Sequence, residues 1–153
     1  MNNLIVYFSW SGNTDKLVKE LNKQFKFDVK RIERKIPYSE DYNTCAYVEA
    51  KQEWQNRTYP EIKEINIDYS KYDKILLFFP IWWYTFPMPI ATFIKSIKGY
   101  QGEIYVFANS YTNDPQYMAT SMKELKELDK NLNFKQALFN KSAKEHIDFI
   151  KNI

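Results

Sequence analysis

The chain has 153 residues, 22 basic and 19 acidic, for a formal net charge of +3. That length is one domain's worth, 1–153, and suffices to remove roughly two-thirds of the unfolded surface from water. Near-balanced charge without a dense basic run argues against nucleic acid, and one cysteine (Cys45) with one histidine (His146) excludes disulfide scaffolds and Cys/His metal clusters.

In chain order, Leu4–Phe8 is a continuous apolar run, as in a strand covered on both faces. It breaks into Ser9-Trp10-Ser11-Gly12-Asn13-Thr14, after which Leu17, Val18, Leu21 and Phe25 mark one face of a helix over 14–25. A strand, a polar turn and a helix N-terminus aim backbone N–H groups and a helix dipole at one point, a site for an anion. The turn holds no Lys or Arg and matches neither GxxxxGK[ST] nor GxGxxG, so a single terminal phosphate held by hydroxyls and amides suits it best. An ordinary strand-to-helix turn capped by Ser and Thr is the other reading.

Phe27–Ile32 reads as a more polar edge strand. Residues 35–70 then form a long excursion with a helical stretch over 43–55, on which Tyr47, Ala50 and Trp54 fall at helical spacing and Cys45 is a small apolar residue. It is either an insertion near a site or a crossover helix with long arms. Lys74–Phe79 is a second buried strand, ending in Pro80-Ile81-Trp82-Trp83-Tyr84-Thr85-Phe86-Pro87-Met88-Pro89. A helix with Ile90, Phe93, Ile94 and Ile97 follows. Glu103–Ala108 is a third strand with a loop over 109–115 behind it. Then come a helix over 116–130, a modest strand over 134–139 and a last helix over 143–150, where His146 is expected to be solvated beside Glu145.

Five β-α repeats with three apolar and two polar strands predict a doubly wound parallel sheet, helices on both faces, in the order 2-1-3-4-5. Ligands of such sheets bind at the carboxyl ends of the strands where the order reverses. The Ser9–Thr14 turn and the Pro80–Pro89 loop become neighbours there, a phosphate cradle beside aromatic rings. The tryptophans have two readings, a stacking surface for a flat ring or plain core and interface packing.

With those residues in view, the chain resembles the flavodoxins, in particular flavodoxin-like proteins with a TrpTrp loop. The matching stretches are Ile5–Thr14, Pro37–Tyr42 and Phe79–Trp83, with Pro87-Met88-Pro89, Phe93 and Ala143-Lys144-Glu145. The resemblance implies FMN. Its phosphate would lie on Ser9, Trp10 (main chain), Ser11, Gly12, Asn13 and Thr14, and its ring against Pro80, Ile81, Trp82, Trp83 and Tyr84. The third loop, Asn109, Ser110 and Tyr111, would hold the ring edge. It implies electron transfer or reduction of small molecules of the quinone or NAD(P)H type, with a redox protein or small molecule as partner and no acid–base residue of the protein's own.

Three departures stand out. The third loop has none of the glycines family members commonly carry there, and Tyr84 replaces a common glycine. A net charge of +3 also contrasts with the acidity of electron-shuttle flavodoxins, which favours a small-molecule reductase or an acidic partner. The alternative is a flavin-free module of the same fold that binds another phosphorylated or aromatic ligand, or a protein. Without a leader-like start or a transmembrane-length apolar stretch, a cytoplasmic protein with no membrane partner is expected.

Overall fold

A computed structural model describes residues 2–153. Five parallel strands, β1 (Asn3–Tyr7), β2 (Asp28–Arg31), β3 (Lys74–Pro80), β4 (Glu103–Asn109) and β5 (Asn133–Phe139), form one sheet in the order β2-β1-β3-β4-β5. The helices are α1 (Asn13–Phe25), α2 (Lys51–Asn56), α3 (Met88–Ser96), α4 (Pro115–Leu128) and α5 (Ala143–Lys151). The predicted order holds because the apolar strands β1, β3 and β4 need cover on both faces, whereas β2 is mostly exposed and takes the edge.

Two cores flank the sheet. Leu4, Val6, Ile75, Leu77, Phe79, Ile104 and Val106 point to the face covered by α3 and α4. Ile5, Tyr7, Leu76, Phe78 and Phe107 point to the face of α1 and α5, the period-two alternation of strand side chains. On that second face His146 corrects the expectation of a solvated imidazole: it is 2% exposed. The cause is a stacked pair, Phe78 and Phe107, with ring centres 4.4 Å apart. The imidazole lies over both rings while its Nδ1 sits 2.7 Å from Ser142 O. Burial holds its pKa below the ordinary value of 6.5. α5 itself starts on a capping box, Ser142 with Glu145.

The excursion of 35–70 does not add a strand. It carries a π-helical segment, Thr44–Ala50, running directly into α2. Ile62, Ile65 and Ile67, which have no predicted element, run without one and pack on the first core; Arg34 and Ile62 form an isolated bridge. Among the described residues no helix is long and apolar enough to cross a membrane.

Candidate functional site

The turn after β1 is built around Ser9. The first turn of a helix leaves N–H groups without helical acceptors, and Ser9 Oγ accepts two from this region, Gly12 N at 3.2 Å and Asp15 N at 3.3 Å. With its lone pairs engaged, the Ser9 hydroxyl proton is free to be donated. Gly12 has φ of 100°, a conformation side chains disfavour, which lets the turn reverse into α1. Among the described residues, the N–H groups of Asn13 and Thr14 find no acceptor in the chain, which leaves them for an anion.

Behind this turn, Asp15 is held by Lys19 at 2.8 Å and by the Tyr7 hydroxyl, which donates to it, with Arg31 at 3.6 Å. Those partners keep its carboxyl below the usual range, Lys19 contributing most. Burial and then the Asp15 carboxylate push the Tyr7 hydroxyl up to about 12. Arg31 also donates to Ser9 O at 2.9 Å, tying β2 to the turn.

The third loop is anchored without glycine. Thr14 Oγ1 donates to Asn109 Oδ1 at 2.9 Å, joining the first loop to it. Asn140, in a left-handed conformation just past β5, accepts from Ser110 N at 2.6 Å and donates to Thr112 O at 3.2 Å. A side-chain amide fixes the backbone where glycines would otherwise adapt to it.

The Trp82–Thr85 loop is a two-residue turn closed by Trp82 N to Thr85 O at 2.8 Å. Trp82 turns inward, edge-on to Phe8 and Tyr38. Trp83 lies against the excursion: its Nε1 donates to Ala46 O at 2.7 Å, and its ring stacks near-parallel on Trp54. The excursion is held in turn by a charge network centred on buried Glu53. Arg34 bridges Glu49 and Glu53 at 3.4 and 3.3 Å and covers the Tyr38 ring, while the Tyr38 hydroxyl donates to Glu53. Burial raises the Glu53 pKa, against the pull of Tyr38 and Arg34. Glu49 accepts from Ser39 N, and Ser39 O accepts from Trp10 Nε1, so the network ends on the first loop.

These parts enclose a cleft of about 630 Å³, within the range of cofactor sites. Of the residues expected to bind a ligand, Ser9, Trp10, Ser11, Asn13, Thr14, Pro80, Ile81, Trp82, Trp83, Asn109, Ser110 and Tyr111 line it together. Gly12 and Tyr84 lie beside the lining: Gly12 shapes the turn, and Tyr84, 56% exposed, packs on Trp54 and Tyr117. Tyr111 is 95% exposed at the mouth.

Sequence reasoning missed the wall supplied by Tyr42, Cys45, Ala46, Tyr47 and Ala50, and also Thr112 and Tyr117. The helical spacing of Tyr47 and Ala50 was the available signal; nothing local flagged Asn140. Burial pushes the Cys45 thiol up to about 12, so it stays protonated and is no nucleophile. Among the described residues there is no group of three or more metal-ligating side chains. The polar end offers free amides and hydroxyls, the rest apolar and aromatic surface. That donor set fits a phosphorylated ligand with a flat ring.

The Flavodoxin family model matches residues 2–153. The crystal structure of a flavoprotein in complex with FMN from Lactobacillus acidophilus NCFM has TM-score 0.81 and 27% identity, covering 97% of this chain and 98% of that one. A protein of Bacteroides eggerthii DSM 20697 has TM-score 0.83 and 25% identity, covering 99% and 97%. Among curated proteins, Uncharacterized NAD(P)H oxidoreductase YcaK of Escherichia coli K12 is 28% identical over 75 residues, 43% of this chain and 38% of that relative's length.

Proposed function

The chain belongs to the flavodoxin family, and from that premise we propose that it binds FMN in the cleft between β1 and β3 and serves as an oxidoreductase for small molecules. The observation that carries the reading is the junction in one cleft of a basic-residue-free anion turn with an aromatic, largely apolar surface. The resemblance to an FMN-containing flavoprotein at 27% identity supports the cofactor, and the YcaK match over part of the chain supports the reaction class.

Bound FMN supplies hydride and electron transfer. The amides of Asn13 and Thr14 and the hydroxyls of Ser9 and Ser11 bind the phosphate, as neutral donors to an oxyanion. Pro80, Ile81, Trp82 and Trp83, with the third loop of Asn109, Ser110 and Tyr111, bind and orient the ring. The excursion, through Tyr42, Cys45, Ala46, Tyr47 and Ala50, excludes water from it, and a poorly hydrated pocket disfavours added negative charge on a bound group. No side chain in the cleft is poised as a nucleophile. A net charge of +3 gives no acidic field to draw basic protein partners, which favours small-molecule donors and acceptors.

Titration with FMN and with riboflavin, which lacks the phosphate, tests the reading. Loss of two or more charge-assisted hydrogen bonds predicts binding weaker by about 100-fold for riboflavin. Equal affinities would remove the phosphate turn from the account. Turnover of a nicotinamide with a quinone by the loaded protein is expected, and no turnover with any donor would leave cofactor binding without the enzyme.

A further inference from the structure

We propose that Trp54, which lies outside the cleft lining, is a positioning residue for the ring-facing turn: stacked on Trp83, it holds Trp82–Thr85 in a left-handed conformation that the turn's own residues disfavour. This rests on the reading that the cleft takes FMN.

Both central residues of the turn have positive φ, 50° at Trp83 and 73° at Tyr84. Two-residue turns of that hand normally carry Asn-Gly or Asp-Gly, because a Cβ is disfavoured there. Two adjacent aromatic residues in this conformation persist only where their surroundings over-determine them. Most of those surroundings come from residues about 30 to 40 positions earlier, with Tyr117 of α4 beside Tyr84. The Trp83 ring meets Trp54 at 5.9 Å and 21° and Tyr47 at 5.4 Å and 74°, Lys51 Nζ lies 5.3 Å from its centre, and its indole N–H is fixed on Ala46 O.

Trp54 also touches the second strained residue, Tyr84, at 5.7 Å, so one side chain grips both. It lies on α2, where the helix is closed at Arg57 and backed by buried Glu53. Trp82 and Trp83 line the cleft and Trp54 does not. Without Trp54 the turn is free to relax, and only the fraction of molecules that keeps the present turn binds at full affinity.

Tyr84→Ala and Tyr84→Gly both delete the ring that touches Trp54, but only glycine accepts positive φ without strain. Trp54→Ala is therefore made in each background. In the alanine background it is expected to weaken FMN binding by about tenfold, in the glycine background, where Trp83 alone stays strained, by about threefold. In parallel, exchange of the Trp83 indole N–H in the apoprotein is expected to quicken about tenfold on Trp54→Ala in the alanine background and by about threefold in the glycine background. Equal losses in the two backgrounds overturn the proposal, since they reduce Trp54 to ordinary packing. Wild-type protein that takes up no FMN would overturn the functional reading, while indole exchange would still decide whether Trp54 holds the turn. If Trp54→Ala does not fold, Trp54→Leu carries the same comparison.

Discussion

The turns that follow β1 and β3 both reverse through left-handed backbone, and they reach it by opposite means. After β1, Gly12 takes φ of 100° and Ser9 accepts from two nearby amides, Gly12 N and Asp15 N, within six residues. After β3, Trp83 and Tyr84 take φ of 50° and 73° without glycine, and what holds them sits on the excursion. The first turn takes its backbone conformation from its own residues, while Arg31 and Asn109 tie it to β2 and to the third loop. A turn stabilised from afar is a property of the whole fold, and it allows bulky aromatic side chains where glycine would leave a gap.

The comparison breaks most severely at the support of the second turn. Glu53→Ala leaves the Arg34 guanidinium and Tyr38 hydroxyl without their buried partner, and is expected to lower unfolding free energy by about 3 kcal/mol in urea denaturation. A loss under about 1 kcal/mol would mean that apolar packing alone fixes the excursion. The first turn is broken by Gly12→Val. A Cβ at Gly12 meets nothing within 4 Å, so its cost is the positive φ: about 2 kcal/mol, or about 30-fold in FMN affinity by fluorescence titration. Unchanged affinity would show that the turn tolerates another backbone.

A smaller effect sharpens the second turn. Trp83→Phe removes the indole donor to Ala46 O and keeps an aromatic ring, which predicts about 1 kcal/mol, or roughly fivefold weaker FMN. If affinity is unchanged, stacking on Trp54 carries the contact alone.

The smallest effect lies away from both turns and serves as their control. His146 is buried neutral, its folded pKa below the 6.5 of the unfolded chain. Between those two values the unfolded chain binds more protons, so stability is full above about pH 6.5 and falls as pH drops below it. The slope in thermal melts should vanish in His146→Gln, with FMN affinity unmoved; a slope that survives belongs to other groups.

How far each part was legible in the sequence follows the same division. The sheet order came from the contrast between the apolar runs Leu4–Phe8, Lys74–Phe79 and Glu103–Ala108 and the more polar second and fifth strands, Phe27–Ile32 and 134–139. These are short-range patterns, and the structure repeats them. The Ser9–Thr14 turn was legible because its hydroxyls, its glycine and the helix start behind it are contiguous in the chain. The wall of Tyr42 to Ala50 was not, because long-range contacts such as Arg34–Glu53 and Trp83–Ala46 bring it over the cleft. His146 was misjudged because polar neighbours on its helix said nothing of the Phe78–Phe107 pair beneath it. Asn140 escaped notice since its work, holding a loop 30 residues earlier, has no local pattern.

The most direct test of the account is the visible absorption spectrum of the purified protein after incubation with FMN and desalting. Retained flavin bands at one FMN per chain, lost on Gly12→Val, are the predicted result. A colourless protein would contradict it, and would assign the anion turn and its aromatic wall to a different phosphorylated ligand.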